Sequence, residues 1–357
     1  MISEETLEKA LARGLIGPEQ ASALRMIEAE RLRTEFEPAP DHEKLRFITG
    51  FGDIFVVIGL GLFASALGYF LINAYGAIVG FAGLALTAWL LAEQFSRRRR
   101  MALPSIVLLL GFAVAAFLAI NGLIGWLTSP KAVALGKAAL DFERPVPVAI
   151  AALATAGLVA LHYWRFRVPI TIAAGVAALV LALFGVIAAI SPDFAQAALA
   201  PLILVAGIGI FGLAMRFDSR DLERRTRRTD IAFWLHLLAA PMIVHSLIAL
   251  VFGGVGNIRT GAAIGLITLF LGLALVALLI DRRAILVSGL VYAGVAFGQV
   301  LKVSGMTNAV IPATLLVLGG FILILSAGWQ PIRRIFLALV PARMRLVLPV
   351  IQPGSPS

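Results

Sequence analysis

Long apolar stretches separated by short polar ones make up most of this chain. Each stretch approaches the roughly 20 residues that an α-helix needs to cross a bilayer core about 30 Å thick. The stretches lack the apolar–polar alternation of barrel strands. The pattern therefore predicts an all-α, polytopic transmembrane helical bundle of about ten spans within residues 46–330. We expect the spans at residues 53–73, 77–95, 102–126, 146–164, 168–190, 196–215, 230–252, 262–280, 284–301 and 309–328.

Polar residues are frequent at both ends of the chain, outside the apolar stretches. Residues 3–12 predict a short helix that Gly14 ends, and Pro18 favours the start of a second helix. We expect residues 1–45 to form a small cytoplasmic helical hairpin and linker, either a solvated cap or a docking module for another protein. Residues 331–357 predict an interfacial amphipathic segment followed by a disordered tail.

The distribution of charge gives the predicted bundle an orientation. The chain is 60% hydrophobic and 14% charged, with a formal net charge of +10, whereas a soluble domain has about 25% charged residues. We therefore attribute the positive charge to membrane topology and predict no nucleic-acid partner. With a cytoplasmic N terminus and ten spans, the positive-inside rule predicts that both termini lie in the cytoplasm. All but five of the 30 Lys and Arg residues then lie inside, the exceptions being Lys131, Lys137, Arg144, Arg259 and Lys302.

Two clusters of arginine follow or precede apolar stretches on the predicted cytoplasmic side. Each cluster can act as a topology determinant alone, or it can also bind the head groups of anionic lipids. The lipid bilayer is thus the first partner that we expect. The clusters consist of Arg97, Arg98, Arg99 and Arg100, and of Arg224, Arg225, Arg227 and Arg228.

The stretch 230–252 contains two histidines, His236 and His245, with Pro241 between them. These two are the only histidines that we expect within hydrocarbon. Polar side chains at that depth are costly on a lipid-facing surface and usually point inward. Their nine-residue spacing places the two imidazoles on opposite faces of a straight helix, whereas a kink at Pro241 would change their separation. Two interpretations stay open: a proton-relay or ligand-binding pair, or two neutral histidines hydrogen-bonded to neighbouring helices.

Asn121 and Gln299 complete the candidate intramembrane polar site. Both lie toward the predicted outer ends of their spans, where interhelical hydrogen bonding is the simplest interpretation. Gln299 with Lys302 could also line an outer vestibule. The chain has no cysteine and no His-Glu-x-x-His motif, so we predict no metal site, no cofactor and no catalytic residue.

Most of the acidic residues have a local explanation. Asp53 and Asp230 fall near the beginnings of predicted helices, where the helix dipole favours negative charge. Glu93 precedes Arg97 by four positions, which is the spacing of a helical ion pair. We therefore expect no acid near the middle of the membrane, and this weakens the hypothesis of cation-coupled transport.

Glycines recur inside the predicted spans, for example in GIGIFG at residues 207–212 and at Gly319 and Gly320. Small residues allow transmembrane helices to approach one another closely. We therefore expect close helix contacts at both places.

The N-terminal sequence LEKALARGLIGPEQASAL resembles the start of a group of bacterial multi-pass membrane proteins of unknown function. In that group a short helix–Gly–helix region precedes many transmembrane spans. The closing sequence WQPIRRIFLALVP, at residues 329–341, is similar to the end of such proteins. The resemblance implies an inner-membrane location and no particular activity. It depends on Leu15, Ile16, Gly17, Pro18, Glu19, Gln20 and Ala21.

These patterns favour a non-enzymatic membrane scaffold or sensor whose N-terminal region binds a protein partner. The alternative is a small-solute or ion/proton-linked transporter that uses the kinked, histidine-bearing helix 230–252. A membrane-embedded enzyme ranks last because the outer connections contain few acids. The sequence itself indicates no substrate and no oligomeric state.

Overall fold

The structure is a computed structural model, and it describes residues 11–15, 17–22, 24, 26, 51–129, 143–221, 226–253, 260–281, 284–303 and 310–340. The chain divides into two compact units, residues 1–46 with 351–357 and residues 47–350. Each unit is described by itself. Every regular element in the described ranges is helical, which confirms the all-α prediction.

In the first unit one helix ends and a second helix begins where the sequence predicts. Gly14 has a positive φ of 68°, a conformation typical of a residue that follows a helix end. The chain is helical again from Pro18, and the Gly17 backbone N–H donates to Gln20 Oε1 over 2.9 Å. This bond from a side chain three residues ahead is half of a capping box. Most of the predicted first helix lies outside the described residues, so the hairpin as a whole stays a prediction.

The second unit contains eleven described α-helices. A short π-helical turn, Glu93–Arg98, directly follows the first of them. In chain order the helices are α1 Phe51–Ala92, α2 Ala102–Thr128, α3 Pro145–Phe166, α4 Ile170–Ile190, α5 Pro192–Ala197, α6 Leu199–Asp218, α7 Arg227–Phe252, α8 Thr260–Ile280, α9 Ala284–Val303, α10 Val310–Ala327 and α11 Trp329–Leu339.

Seven elements in the described ranges are long and apolar enough to cross a membrane. They are α1 together with its π-helical turn, α2, α3, α4, α6, α7 and α10. The described part of α8 from Ile267 is a shorter apolar helix. Length and composition thus support a membrane-embedded protein.

The long helix α1 reverses direction at Gly76. The φ of 83° and ψ of 168° at this residue are not helical and lie in a region that only glycine readily adopts. A Cβ added at Gly80 would lie 3.1 Å from Ile72 Cα, and one added at Gly68 would lie 3.2 Å from Leu84 Cδ1. Ile72 and Gly80 would be about 12 Å apart in a straight helix. Residues 51–75 and 77–92 are therefore two limbs of a hairpin, as the sequence predicts near Tyr75.

A disulfide experiment tests this reversal. The cysteine-free chain allows Gly68→Cys and Leu84→Cys to be combined, and we expect this pair to cross-link readily under mild oxidation. In a straight helix the two positions would be about 24 Å apart, far beyond disulfide reach. The matched pair Gly68→Cys and Leu90→Cys should stay reduced because Leu90 lies further along the second limb. Equal yields from both pairs, or no bridge in the first, would contradict the hairpin.

Helices adjacent in sequence pack against one another, and α7 joins the two halves of the bundle. The most extensive contacts are those of α1 with α2, α3 with α4, α6 with α7, and α8 with α9. Helix α7 also contacts α4 and α9. Its buried side chains include Leu235, Ala239, Val244 and Ile248. The buried face of α7 therefore lies where several helices meet.

The glycine predictions have mixed outcomes. A Cβ added at Gly207 would lie 3.1 Å from Met242 Cβ, so α6 and α7 do approach closely there. The other glycines of the predicted contacts face open space, with no atom within 4 Å of an added Cβ. That expectation was therefore wrong at Gly209, Gly212, Gly319 and Gly320.

Candidate functional site

His236 forms a buried pair with Asp218, the last residue of α6. The distance from His236 Nε2 to Asp218 Oδ2 is 2.9 Å. The imidazole has no exposed surface and the carboxylate is 5% exposed. The edge of the Phe211 ring packs against the imidazole at a centroid distance of 5.2 Å. An acid and an imidazole are thus enclosed together between two apolar helices.

Hydrogen bonds in the α6–α7 connection hold this pair in place. Thr226 caps α7, and its Oγ1 accepts from the Arg228 backbone N–H over 3.2 Å. Asp221 Oδ2 accepts from the backbone N–H and the hydroxyl of Thr226, and from the hydroxyl of Thr229. One carboxylate therefore ties the end of α6 to the first turn of α7. Asp230 lies in that first turn, as the helix-dipole argument predicts.

Asp218 corrects the sequence prediction. The stretch from Arg216 looked like a polar cytoplasmic connection, because its arginines outnumber its acids. In the structure α6 continues to Asp218 and buries it. Because Asp218 is the last residue of α6, the expectation that no acid lies near the middle of the membrane stays a prediction.

His245, the second predicted site residue, has a different setting. It is exposed, and its Nδ1 lies 2.7 Å from the hydroxyl of Tyr292 on α9. Pro241 lies between the two histidines in a helix that is continuous from Arg227 to Phe252. The two imidazoles thus bond to different helices, and the described contacts do not join them into one site.

The other two members of the predicted polar site lie on separate helices. Asn121 is fully buried on α2. The backbone of Gln299 belongs to α9, and its side chain lies outside the described part of the chain. The interhelical role predicted for Gln299 therefore stays a prediction.

His162 is a buried histidine that the sequence prediction overlooked. It lies in the last turn of α3 with no exposed surface. Trp89, Phe112 and Phe166 surround it with ring-centroid distances of 5.6, 5.6 and 4.5 Å. Its place near the end of an apolar stretch, three residues before the charged Arg165–Arg167 segment, gives it the sequence pattern of an interfacial residue. A buried histidine therefore also lies outside α7.

Glu93 is the first residue of the π-helical turn after α1, and it bonds two arginines. Arg97 Nη1 is 3.3 Å from Glu93 Oε2, which confirms the predicted i,i+4 pair. Arg165 of α3 adds a bidentate contact, donating from Nε over 2.7 Å and from Nη2 over 3.0 Å. Such fork-shaped contacts are geometrically specific. This ion pair therefore links α3 to the π-helical turn.

The arginine clusters project outward wherever the structure describes them. Arg97, Arg98, Arg99 and Arg100 are exposed directly after the second limb of α1. Arg227 and Arg228 are exposed in the first turn of α7, and Arg224 and Arg225 lie outside the described residues. Exposure is compatible with either role predicted for the clusters.

A buried polar cluster fastens α11 to the end of α8. The Trp329 indole N–H donates to Asp281 Oδ1 over 2.7 Å, and Arg333 Nε donates to the Leu278 carbonyl over 3.1 Å. Trp329 and Arg333 are both buried. Arg333 was expected in an interfacial segment, but it satisfies a carbonyl at the C terminus of α8.

No protein-family model matches this chain, and searches of curated proteins and of solved structures return no match. Within the described residues there is no group of three or more His, Cys, Asp or Glu side chains that could hold a metal ion. Functional inference therefore depends on the buried polar contacts. The Asp218–His236 pair combines two titratable groups at full burial, and it is the candidate site developed below.

Proposed function

We propose that this chain is a bacterial inner-membrane protein of about ten spans with both termini in the cytoplasm. The reversal at Gly76 divides one of the seven apolar elements into two limbs, and α8 and α9 supply the remaining two spans. The exposed arginines after α1 and at the start of α7 then fall on the cytoplasmic side, as the positive-inside rule requires.

We further propose that the protein is a non-enzymatic membrane sensor whose N-terminal region binds a protein partner, and that Asp218 and His236 sense protons. The observation that carries this proposal is their 2.9 Å contact at full burial between α6 and α7. Ionisable residues inside a membrane mark functional sites by default, and histidine is the side chain that titrates near physiological pH. A change in protonation would alter the polar contact that joins the two helices.

The helix start at Gly17–Gln20 supports the partner-binding part of the proposal. Ala21, which belongs to the first compact unit, is buried. A folded segment attached to the bundle by a linker provides a surface that a partner can occupy. Such a segment would carry the response of the bundle to the cytoplasm.

Cysteine accessibility at Ser219 tests the sensor. Ser219 is exposed next to Asp218, and we expect the labelling rate of Ser219→Cys in inside-out vesicles to change severalfold between about pH 8 and pH 5.5. The rate is normalised to Arg98→Cys, an exposed position on the same predicted cytoplasmic side in the π-helical turn after α1, because thiol ionisation alone also changes with pH. Adding His236→Gln should abolish the normalised change. The same change in both backgrounds would contradict the proposal.

Proton-linked transport is the second candidate function. Its specific support is His245, which is exposed on a membrane-length helix while it bonds to Tyr292 of α9. Ionisable groups within spans usually face a bundle interior or a water-filled cavity. Proteoliposomes containing a pH-sensitive dye distinguish the two functions. Proton flux that is lost in both His236→Gln and His245→Gln would favour transport over sensing.

A further inference from the structure

Six arginines lie where the second limb of α1 and helix α3 end. Residues 97–100 are arginines that close the π-helical turn after the limb, and Arg165 and Arg167 lie at the end of α3. Glu93 joins the two ends, because its carboxylate is 3.3 Å from Arg97 Nη1 and accepts from Arg165 over 2.7 and 3.0 Å. The six residues therefore form one arginine group at one end of the bundle.

Most of the positive charge of this arginine group has no acidic partner. The carboxylate of Glu93 engages two of its members. The other four are exposed, and none of them forms an ion pair with another described residue: they are Arg98, Arg99, Arg100 and Arg167. The Arg99 guanidinium lies 6.0 Å from the centroid of the Phe95 ring, where the face of the ring attracts a cation. The group thus presents four exposed guanidinium groups to an anion.

Two of these four arginines have a backbone conformation that favours glycine. The φ angles of Arg100 and Arg167 are 51° and 54°. In this left-handed region the Cβ of an L-residue crowds the backbone, and helices commonly end with a glycine there. Membrane topology requires positive charge near the end of a span, but not at these particular positions. Strained residues cluster at functional sites, so the conformation favours a role for the two side chains beyond topology.

Exposed apolar side chains lead to the arginine group on both helices. On α3, Leu161 and Trp164 are exposed three positions apart, and Trp164, with 75% of its surface exposed, comes three residues before Arg167. On the second limb of α1, Leu86 and Leu90 are exposed four positions apart. Residues three and four apart share one face of a helix, and tryptophan is enriched at the membrane interface. Apolar faces that end in positive charge fit an amphiphile with an anionic head group, whereas free phosphate would use only the charge.

We propose that the four exposed arginines bind the phosphate of an anionic phospholipid whose acyl chains lie on the exposed faces of α3 and of the second limb. A guanidinium donates two parallel hydrogen bonds to a phosphate, and the Glu93–Arg165 contact fixes the two helix ends beside each other. The site requires only that this end of the bundle lies at a membrane surface, and it does not rest on the sensor function. A topology determinant acts while the chain inserts, whereas a lipid site also acts in the folded protein.

The test measures lipid binding to the purified full-length protein in detergent micelles. Phosphatidylglycerol or phosphatidylcholine with brominated chains is added, and quenching of Trp164 is the difference between each protein and its Trp164→Phe version. We expect phosphatidylglycerol to quench at the lower mole fraction. Arg100→Gly with Arg167→Gly should reduce this preference roughly 25-fold, because each basic residue near an anionic surface contributes a factor of about five. The unfolding midpoint should not fall, since glycine readily adopts a positive φ.

Two further variants separate the site from net charge and from backbone effects. Arg13→Gln with Arg220→Gln removes the same charge from exposed positions outside the group and should leave the preference unchanged. Arg98→Gln with Arg99→Gln leaves both left-handed residues in place and should also reduce the preference roughly 25-fold.

Four results would overturn the proposal. They are equal quenching by the two lipids in the parent protein, a loss of less than about twofold in the glycine variant, an equal loss in the net-charge control, and removal of the preference by millimolar inorganic phosphate at constant ionic strength. The last result would assign the arginines to soluble phosphate instead. His236→Gln should leave the lipid preference intact, so failure of the sensor proposal would be seen separately.

Discussion

Replacing Asp218 with alanine is expected to lower the free energy of unfolding by about 2–3 kcal/mol. The substitution removes the carboxylate that lies 2.9 Å from His236 Nε2, and it leaves that nitrogen buried between α6 and α7. A hydrogen bond to a charged group contributes about 1.5–3 kcal/mol, and a buried polar atom left without its partner costs about 1–3 kcal/mol. Asp218→Asn should cost less because an amide oxygen can still accept a hydrogen bond.

A double-mutant cycle in detergent micelles measures this interaction directly. We expect Asp218→Ala and His236→Phe together to cost at least about 1 kcal/mol less than the sum of the single changes. Contacting residues in one hydrogen-bond network show such non-additivity, whereas distant sites do not. Asp193→Asn combined with His236→Phe is the additive control. If the Asp218 cycle is also additive, the contact makes no specific contribution to stability.

The predicted helices agree closely with the structure because long apolar runs leave the backbone few alternatives. In lipid, each backbone polar group must be bonded within its own helix or within a closed barrel. Local signals then mark the ends: Gly14 adopts a positive φ, Gly76 reverses the chain, and Asp281 lies in a turn with φ of 56°. The sequence therefore predicts elements and turns, including the reversal within α1.

The buried polar contacts were harder to predict because each depends on which helices become neighbours. Asp218 lies among arginines, and only the packing of α6 on α7 brings it to His236, 18 residues later. Arg165, the interhelical partner of Glu93, is 72 residues away in the sequence. Only the bond of Glu93 to Arg97 follows from the i,i+4 spacing of a helix. A single sequence shows which residues share one face of a helix, but it does not show which helices become neighbours.

The two predicted histidines show the same limit of prediction from sequence. Their nine-residue spacing corresponds to opposite faces of a helix, and His236 is buried while His245 is exposed. That much follows from the period of the helix. Their partners, Asp218 and Tyr292, come from helices on either side of α7 in the sequence, and no periodic pattern predicts them.

Gly185 is expected to be the glycine least able to accept a side chain. A Cβ added there would lie 2.9 Å from the backbone N, the Cα and the Cβ of Ala149. Real Cβ atoms essentially never come this close to such atoms, and a backbone cannot rotate away as a long side chain can. Gly185→Ala must therefore separate α3 from α4. We expect a loss of about 1–3 kcal/mol in the free energy of unfolding, and a larger loss for Gly185→Val.

Gly157→Ala is the matched control because Gly157 lies within α3, and nothing approaches within 4 Å of an added Cβ there. Alanine is preferred to glycine in a helix by up to about 1 kcal/mol, so the control should be neutral or stabilising. Opposite signs for the two glycines, measured by unfolding in the same detergent, would establish that α3 and α4 pack backbone to backbone at Gly185. Equal effects would mean that helix propensity alone decides both, and that the contact with Ala149 does not hold the helices together.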